Sequence, residues 1–355
     1  MARVLGWGAY LAVSWTWCIG MYLPVMLVRD LGVWAFAAFA APNVIGAAGM
    51  GWVLKREGSS ERIVREHGPA LRWFSLATIA FQVFFGTHLL AASGHVATAA
   101  GALIGASIAG VVLRRALPVF AVIVLGGSVA ALAGFGGGSP TMPALEGEVG
   151  PALLLLPGFA FGFALCPYLD LTFHRARRSV AGGAGTTAFV VGFGVMFLAM
   201  ILGTLAYSTA LAGGAFPAVI VAHMGVQLAA TIVLHEREVM REGRGGAGGV
   251  WAAAAIGAGA AGLAATGAVE FERVYLGFLG LYACVFPVYA WVCMIGHRGH
   301  RAGPTRAKMA IVGVTFAVVA PLFWLALAEG RTALAVPAAG LLLASRLGLR
   351  VVRGR

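Results

Sequence analysis

One carboxylate of this sequence lies in apolar surroundings, where ionised groups are rare. The chain contains only two aspartates, and Asp170 directly follows the apolar segment 158–169. Because a charged side chain inside a membrane segment costs at least about 2.5–3.5 kcal/mol, such groups usually face protein or a water-filled cavity. Pro167 and the nearby glycines weaken the helix, and a broken apolar segment is typical of a transport site. Alternatively, Asp170 caps a helix end beside Arg175 and Arg177.

Asp170 and two neighbouring residues form a row of side chains that are able to bind a metal or transfer protons. Cys166, Asp170 and His174 are spaced by four residues, which places them on one face of a helix. Thiolate and imidazole groups suit transition metals, so the row is one candidate metal site, and the metal itself is unknown. Asp170 and His174 are also candidates for the acid and base of an intramembrane enzyme acting on a lipid. A plain ion pair near the membrane surface is the remaining interpretation.

A second polar row lies on the eighth apolar segment. His223, Gln227 and Thr231 are spaced by four residues and therefore share one helix face. Inside a membrane such a row faces protein or a cavity. It serves either hydrogen bonding between helices or the binding of a solute or proton. Thr78 and Gln82 form a similar pair on the third apolar segment.

The composition requires a membrane protein. Of the 355 residues, 60% are apolar and 11% are charged, whereas soluble domains carry about 25% charged residues. The net charge of +12 is spread over short loops instead of one patch, so we expect no nucleic-acid partner. The sequence lacks the phosphate loop that would permit ATP hydrolysis by that route. All four cysteines fall in apolar segments, which argues against a loop disulfide.

Twelve apolar segments approach the length of about 20 residues that a helix needs to cross a bilayer. All but three of the 25 Lys and Arg residues fall on one side when alternate loops are assigned to opposite sides; the exceptions are Arg29, Arg273 and Arg331. The positive-inside rule then predicts an integral protein of the cytoplasmic (inner) membrane with both termini cytoplasmic. The predicted segments are 3–28, 32–54, 70–93, 95–113, 116–135, 151–173, 184–211, 214–234, 249–268, 273–296, 308–328 and 332–349.

The longest loop without positive charge divides the chain into halves of opposite orientation. Five segments precede this loop. Because five is an odd number, the next five segments begin on the opposite side of the membrane and can repeat the first five in inverted orientation. The predicted all-α architecture is therefore an inverted repeat of five plus five helices with two additional C-terminal helices. Its parts are a first repeat over 1–135, an outward linker over 136–150, a second repeat over 151–297 and the two extra helices over 298–355.

The first and sixth segments share a short motif. Residues 18–24 read Cys-Ile-Gly-Met-Tyr-Leu-Pro, and residues 166–170 read Cys-Pro-Tyr-Leu-Asp. Proline removes a backbone hydrogen bond and clashes with the preceding turn, so we expect breaks near 20–24 and 163–167. With this layout, the chain resembles the amino acid–polyamine–organocation superfamily of secondary transporters, which have the leucine-transporter fold.

The resemblance implies alternating access and a binding site between the first and sixth helices. Sodium-coupled relatives carry hydroxyls, often a Ser/Thr pair, on the eighth helix, where this chain has Thr231 alone. The coupling ion therefore stays open between Na⁺ and H⁺, and we expect no other cofactor.

The hypothesis is an ion- or proton-coupled symporter of a small polar or cationic solute, without enzymatic activity. Its partners are the solute or ion and the lipid bilayer. An intramembrane enzyme, a channel, and a non-catalytic scaffold or partner subunit are the alternatives. The expected binding residues are Cys18, Gly20, Tyr22, Pro24, Gln82, Phe163, Cys166, Pro167, Tyr168, Asp170, His223 and Gln227.

Overall fold

The regular structure of the described residues is entirely helical, which confirms the predicted all-α class. The computed structural model describes residues 1–136, 147–243, 246–295 and 303–351, and short 3₁₀ or π-helical turns connect several of its α-helices. The α-helices are α1 (Ala2–Trp15), α2 (Cys18–Leu31), α3 (Val33–Val53), α4 (Ser59–Ala92), α5 (Val96–Val112), α6 (Leu117–Gly136), α7 (Val149–Leu165), α8 (Leu171–Ser179), α9 (Gly182–Val191), α10 (Leu198–Ala212), α11 (Ala218–Arg241), α12 (Gly246–Ala265), α13 (Phe271–Gly280), α14 (Phe286–Tyr289), α15 (Arg306–Ala328), α16 (Ala335–Ala344) and α17 (Gly348–Val351).

The chain is a helical integral membrane protein. In the described part, nine helical segments are long and apolar enough to cross a membrane, and the bent pair α1–α2 makes a tenth if it is one span. Two further predicted segments are apolar helices of fewer residues, α5 and Thr332–Leu347. The total of twelve spans stays a prediction. The nine segments are Val33–Val53, Ser59–Ala92, Leu117–Gly136, Val149–Leu169, Gly182–Ala212, Ala218–Arg241, Gly246–Ala265, Phe271–Met294 and Arg306–Ala328.

Parts of the predicted domain organisation lie on residues that the structure does not describe. Most of the expected linker 136–150 lies outside the described residues, and so does the expected boundary between 297 and 298. The division of the chain into two inverted repeats therefore stays a prediction.

The first apolar segment is broken, but earlier than the sequence predicts. Helices α1 and α2 meet at an angle of 57°. The bend lies at Thr16 and Trp17, where the backbone of Trp17 is extended (φ −84°, ψ 173°) and Cys18 begins α2. The predicted break at 20–24 is wrong, because α2 continues through Gly20 and Pro24. The position of the bend is set by contacts with other helices and not by Pro24.

The sixth apolar segment is broken at the end of the predicted region. Helix α7 ends at Leu165, and residues Cys166–Leu169 form a 3₁₀ turn that contains Pro167. Asp170 then leaves the helical conformation (φ −83°, ψ 114°) and becomes the N-cap of α8. The side chain is also fully buried. Asp170 is therefore both a helix cap and a buried acid, which the sequence presented as alternatives.

A close helix contact holds the sixth segment against the second. A methyl group on Gly46 of α3 would lie 2.2 Å from the backbone oxygen of Phe163 in α7, so this contact requires glycine. Gly49 lies on the same helix, and a methyl group there would have no heavy atom within 4 Å. The approach of α3 places the polar side chain of Asn43 beside the broken ends of the first and sixth segments.

Candidate functional site

A cavity of about 50 Å³ lies between the two breaks. Its wall includes residues from both sides of the first break and from the end of α7 with its 3₁₀ turn. Three of the predicted site residues, Gly20, Phe163 and Cys166, line it. The aromatic rings of the wall are those of Trp15, Trp17, Phe159, Phe163, Tyr282 and Phe323.

The polar side chains of the wall are bonded to each other or to backbone. Nε1 of Trp15 donates to Oδ1 of Asn43 at 2.7 Å, and Sγ of Cys166 donates to the carbonyl of Tyr282 at 3.3 Å. The hydroxyl of Tyr282 pairs with that of Thr78 at 3.0 Å. The surface that the cavity presents to a ligand is therefore mainly apolar and aromatic.

Side chains from other helices bind the backbone groups that the first break releases. Oε1 of Gln82 accepts the N–H of Cys18 at 3.3 Å, and the Tyr275 hydroxyl donates to the Cys18 carbonyl at 3.1 Å. The Thr231 hydroxyl donates to the carbonyl of Val13 at 3.3 Å. Cys18 and Gln82 thus maintain the break, and neither is part of the cavity wall.

The carboxylate of Asp170 uses its two oxygens differently. Oδ1 accepts hydrogen bonds from the N–H of Thr172 at 2.7 Å and from its hydroxyl at 2.6 Å. That hydroxyl lies 3.0 Å from the hydroxyl of Ser14 in α1. Oδ2 is buried and has no hydrogen-bond partner among the described residues. Nε2 of His235, equally buried, lies 3.8 Å from Oδ2.

His235 packs between the acid and the cavity. Its Nδ1 lies 3.1 Å from the hydroxyl of Ser75, and its Nε2 has no hydrogen-bond partner in the described part of the chain. The centre of its ring is 5.7 Å from that of Trp17, which lines the cavity. A change of charge at His235 or Asp170 would therefore act directly on one wall of the cavity.

His174 is not the partner of Asp170, contrary to the interpretation based on helical spacing. Nδ1 of His174 lies 3.1 Å from the Ser60 hydroxyl, and Nε2 lies 2.9 Å from the carbonyl of Tyr168. The spacing misleads because Asp170 is a cap, whose carboxylate turns back onto the first N–H groups of its own helix. Within the described residues, no group of three or more His, Cys, Asp or Glu is placed to hold a metal ion.

Two residues of the predicted row on α11, His223 and Gln227, point to a different part of the bundle, whereas Thr231 binds the first break. Nε2 of Gln227 donates to the Ser128 hydroxyl of α6 at 2.7 Å. His223 lines a second cavity, between α5, α6 and α11, and its ring centre is 6.4 Å from that of Tyr207. His223 and Gln227 are thus brought together with each other, but neither lines the cavity at the two breaks.

The remaining predicted residues also lie away from the cavity wall. The Tyr22 hydroxyl donates to Glu272 at 3.4 Å near the far end of α2, where Arg29 and Glu272 form an ion pair at 2.6 Å. Pro24 is buried within α2, and Pro167 within the 3₁₀ turn. The side chain of Tyr168 is partly exposed. The structure therefore does not place Tyr22 and Tyr168 against the cavity.

Sequence reasoning missed the principal partner of the acid, although a signal was present. His235 continues the spacing of four that relates His223, Gln227 and Thr231, one helical turn further along α11. Trp17 and Tyr282 carried no such signal, because they reach the site through the break and through tertiary packing.

The comparisons with known proteins add no assignment. No protein-family model matches the sequence, and the search of curated proteins returns no match. Function must be inferred from the geometry of the described residues.

Proposed function

We propose that this protein is a secondary active transporter that binds a small solute in the cavity between the first and sixth apolar segments. The observation that carries the proposal is the position of that cavity, enclosed by two broken membrane segments with a buried, half-satisfied acid at the end of one of them. Broken helices with a site at the break are the recurring architecture of such transporters. The predicted layout, which resembles the leucine-transporter fold, implies the same function.

The wall chemistry favours a solute with an apolar body. Six aromatic rings line the cavity, and its polar side chains are already hydrogen-bonded within the protein. A positive charge on the solute is compatible with this wall, since indole faces attract cations. This refines the expectation of a polar or cationic solute, because uncharged polar groups would find few free partners in the wall.

The cavity is small, so in this proposal it widens when the site opens to either side. Ligand pockets for drug-sized molecules usually measure about 300–1,000 Å³, far above the 50 Å³ found here. Ion pairs cross the bundle at both ends: Arg29 with Glu272 at one end, and Arg178 with Glu242 at the other. In this proposal, the two pairs separate in turn as the site opens to one side and then to the other.

Orientation follows from the loop charges. The end with Arg178 and Glu242 also carries Arg177 and Arg237, which bind backbone carbonyls of neighbouring loops. We assign this basic end to the cytoplasm. The end with Arg29 and Glu272 then faces outward.

A ligand screen on purified protein tests the proposal. Thermal unfolding is recorded with a panel of amines, amino acids, nucleobases, sugars and aromatic compounds, at several pH values with and without sodium. A ligand at a hundred times its Kd stabilises by about 2.7 kcal/mol. Each hit is then tested for uptake into proteoliposomes under an ion gradient.

A pair of glycine variants locates the binding site. Gly20→Leu adds a side chain at a position that lines the cavity, and its Cβ would lie 3.8 Å from the ring of Phe197. Gly49→Leu is the matched control, since its Cβ meets no atom within 4 Å. Stabilisation and uptake that vanish in Gly20→Leu and persist in Gly49→Leu support the proposal. Binding that survives Gly20→Leu places the site elsewhere, and absence of ligand-dependent stabilisation and of flux contradicts transport.

A further inference from the structure

Buried polar atoms without partners gather between Asp170 and the basic end of the bundle. Among the described residues, six such atoms belong to five side chains that lie on or next to α1, α8 and α11. They are the hydroxyl of Tyr10, Oδ2 of Asp170, Nε of Arg175, Nε2 of His235 and both carboxylate oxygens of Glu238. We call these five residues the buried polar cluster. Buried polar groups are normally hydrogen-bonded, so such a concentration calls for a specific explanation.

Two close approaches give the buried polar cluster an order. Oδ2 of Asp170 lies 3.8 Å from Nε2 of His235, and Oε1 of Glu238 lies 3.8 Å from Nε of Arg175. The side chains of Asp170, His235 and Glu238 are 0% exposed, whereas that of Arg175 is 29% exposed. The cluster therefore begins beside the break and reaches the surface at Arg175.

Helices α11 and α1 connect the two pairs. His235 and Glu238 are three residues apart on α11, which places them on the same face. Tyr10 of α1 is fully buried and lies within electrostatic range of Asp170, Glu238 and Arg175. A row of titratable groups thus leads from Asp170 past His235 and Glu238 to Arg175, with Tyr10 along its side.

The chemistry of this line suits a proton better than a metal cation. Hard cations need a shell of several oxygen ligands, whereas here an imidazole and a guanidinium lie between and beside the carboxylates. Arg175, Arg178 and Arg241 all act electrostatically on Glu238 and would oppose the entry of a metal cation. A proton moves by exchange of O–H and N–H bonds, so it does not need such a shell.

We infer that the buried polar cluster is a proton pathway between Asp170 and the cytoplasmic surface, and that the proton is the coupling ion. Its use in coupling rests on the proposed transport function, but proton movement along the cluster does not. The 3.8 Å between His235 and Asp170 exceeds a hydrogen bond, and no ion pair joins His235 to Glu238 among the described residues. Each transfer therefore requires a side-chain rotation or bridging water.

The transfers balance without any other reactant. A hydronium ion that enters past the partly exposed Arg175 gives a proton to the buried carboxylate of Glu238 and becomes water. Glu238 thereby forms an O–H bond. It passes the proton to Nε2 of His235, whose Nδ1–H meanwhile donates to the Ser75 hydroxyl. Nε2 then gives the proton to Oδ2 of Asp170, which leaves His235 neutral and Asp170 as the carboxylic acid. Release follows the same steps in reverse.

Other polar groups around the cluster set its surroundings. Asp170 also contacts Thr172, whose hydroxyl in turn contacts that of Ser14. Asp170 acts electrostatically on Cys166 and Tyr282. Glu238 also faces Glu242, which pairs with Arg178 at the mouth of the pathway. Of these neighbours, only Glu242 is a further carboxylate, and it lies at the mouth, outside the line of transfer.

Infrared difference spectroscopy on the full chain in proteoliposomes tests the inference without any solute. The pH is changed rapidly on one side of the membrane at a time. The intensity of the carbonyl band of a buried carboxylic acid is then recorded against time. Loss of the band in Asp170→Asn assigns it to Asp170. The expected result is fast protonation after a jump on the cytoplasmic side, which Glu238→Gln and His235→Gln slow by about 100-fold, as for loss of an acid–base group.

Glu236→Gln is the matched control, because Glu236 lies on α11 outside the buried polar cluster and is partly exposed. Its rate should equal that of wild type. Equal melting temperatures show that the variants are folded. An unchanged protonation rate in folded Glu238→Gln and His235→Gln overturns the pathway, and so does the absence of any Asp170 band. Neither result bears on solute binding, which the ligand screen tests separately. Equal slowing in Glu236→Gln also overturns it.

Discussion

Nε2 of His235 lies 3.8 Å from Oδ2 of Asp170, and in the described part of the chain neither atom has a hydrogen-bond partner. The two residues come from α11 and from the break before α8. When the ring proton of neutral His235 is on Nδ1, facing Ser75, one added proton on Nε2 or Oδ2 would allow a hydrogen bond between these atoms. Because Trp17 packs against His235 and lines the cavity, the protonation of this pair bears on solute binding.

Asp170→Asn should separate the structural role of Asp170 from its chemical role. Asparagine caps a helix about as well as aspartate, so the melting temperature should stay near that of wild type. Asp170→Ala loses the cap and should cost about 0.5–2 kcal/mol. In proteoliposomes, Asp170→Asn should bind solute but fail to accumulate it against a gradient. Glu236→Gln, at a partly exposed acid of α11, is the control. Accumulation by folded Asp170→Asn would refute a coupling role.

Gly46→Ala should destabilise the protein more than any exposed glycine change on the same helix. The new methyl group would lie 2.2 Å from the Phe163 carbonyl oxygen and must push α3 and α7 apart. Overpacking of this kind costs about 1–3 kcal/mol. Gly49→Ala on the same helix meets no atom and should match or exceed wild-type stability, since alanine favours helices. Equal unfolding curves for the two variants would show that the helix contact is not formed.

Arg177 should be needed to join three segments at the basic end. Its guanidinium donates to the carbonyls of Leu54 at 2.8 Å, Lys55 at 3.0 Å and Gly182 at 3.1 Å. Arg177→Met leaves these acceptors unpaired and should cost about 1.5–3 kcal/mol or more, the range for one charge-assisted bond. Arg177→Lys should recover little, since lysine lacks the fork geometry. Thermal unfolding is the measurement, with exposed Arg65→Met as control; similar losses in both would contradict this role.

The apolar segments and the break near Pro167 were predictable because they depend on local sequence. Length and hydropathy mark a membrane helix, and proline removes a backbone bond wherever it stands. The bend at Trp17 was not predictable in this way, since Gln82, Tyr275 and Thr231 bind the released backbone groups there and all three come from distant segments.

Partners of the acid were predicted less well, for a related reason. The spacing of Asp170 and His174 assumes a continuous helix, but Asp170 is a cap and its carboxylate turns toward Thr172. His235 reaches it from α11 by tertiary packing. To identify His235 from the sequence, the row on α11 must be extended by one turn. It must also be known that α11 packs beside the break before α8.

The most direct test of the transport account is the sidedness of Cys166, whose thiol lines the cavity. Cys18, Cys284 and Cys293 are buried and are first replaced by alanine. A membrane-impermeant thiol reagent is then applied from one side at a time. Exposed ion pairs contribute about 0.2–1 kcal/mol. Breaking one should therefore raise the population of the conformation that is open on that side by up to about fivefold.

Glu272→Gln should speed labelling of Cys166 from the outer side only, because it breaks the pair with Arg29. Glu242→Gln should speed labelling from the cytoplasmic side only, because it breaks the pair with Arg178. This opposite response is what alternating access predicts. Labelling of wild type from both sides at equal rates would indicate a channel, and a Cys166 that reacts from neither side in any variant would contradict a transport site between the two breaks.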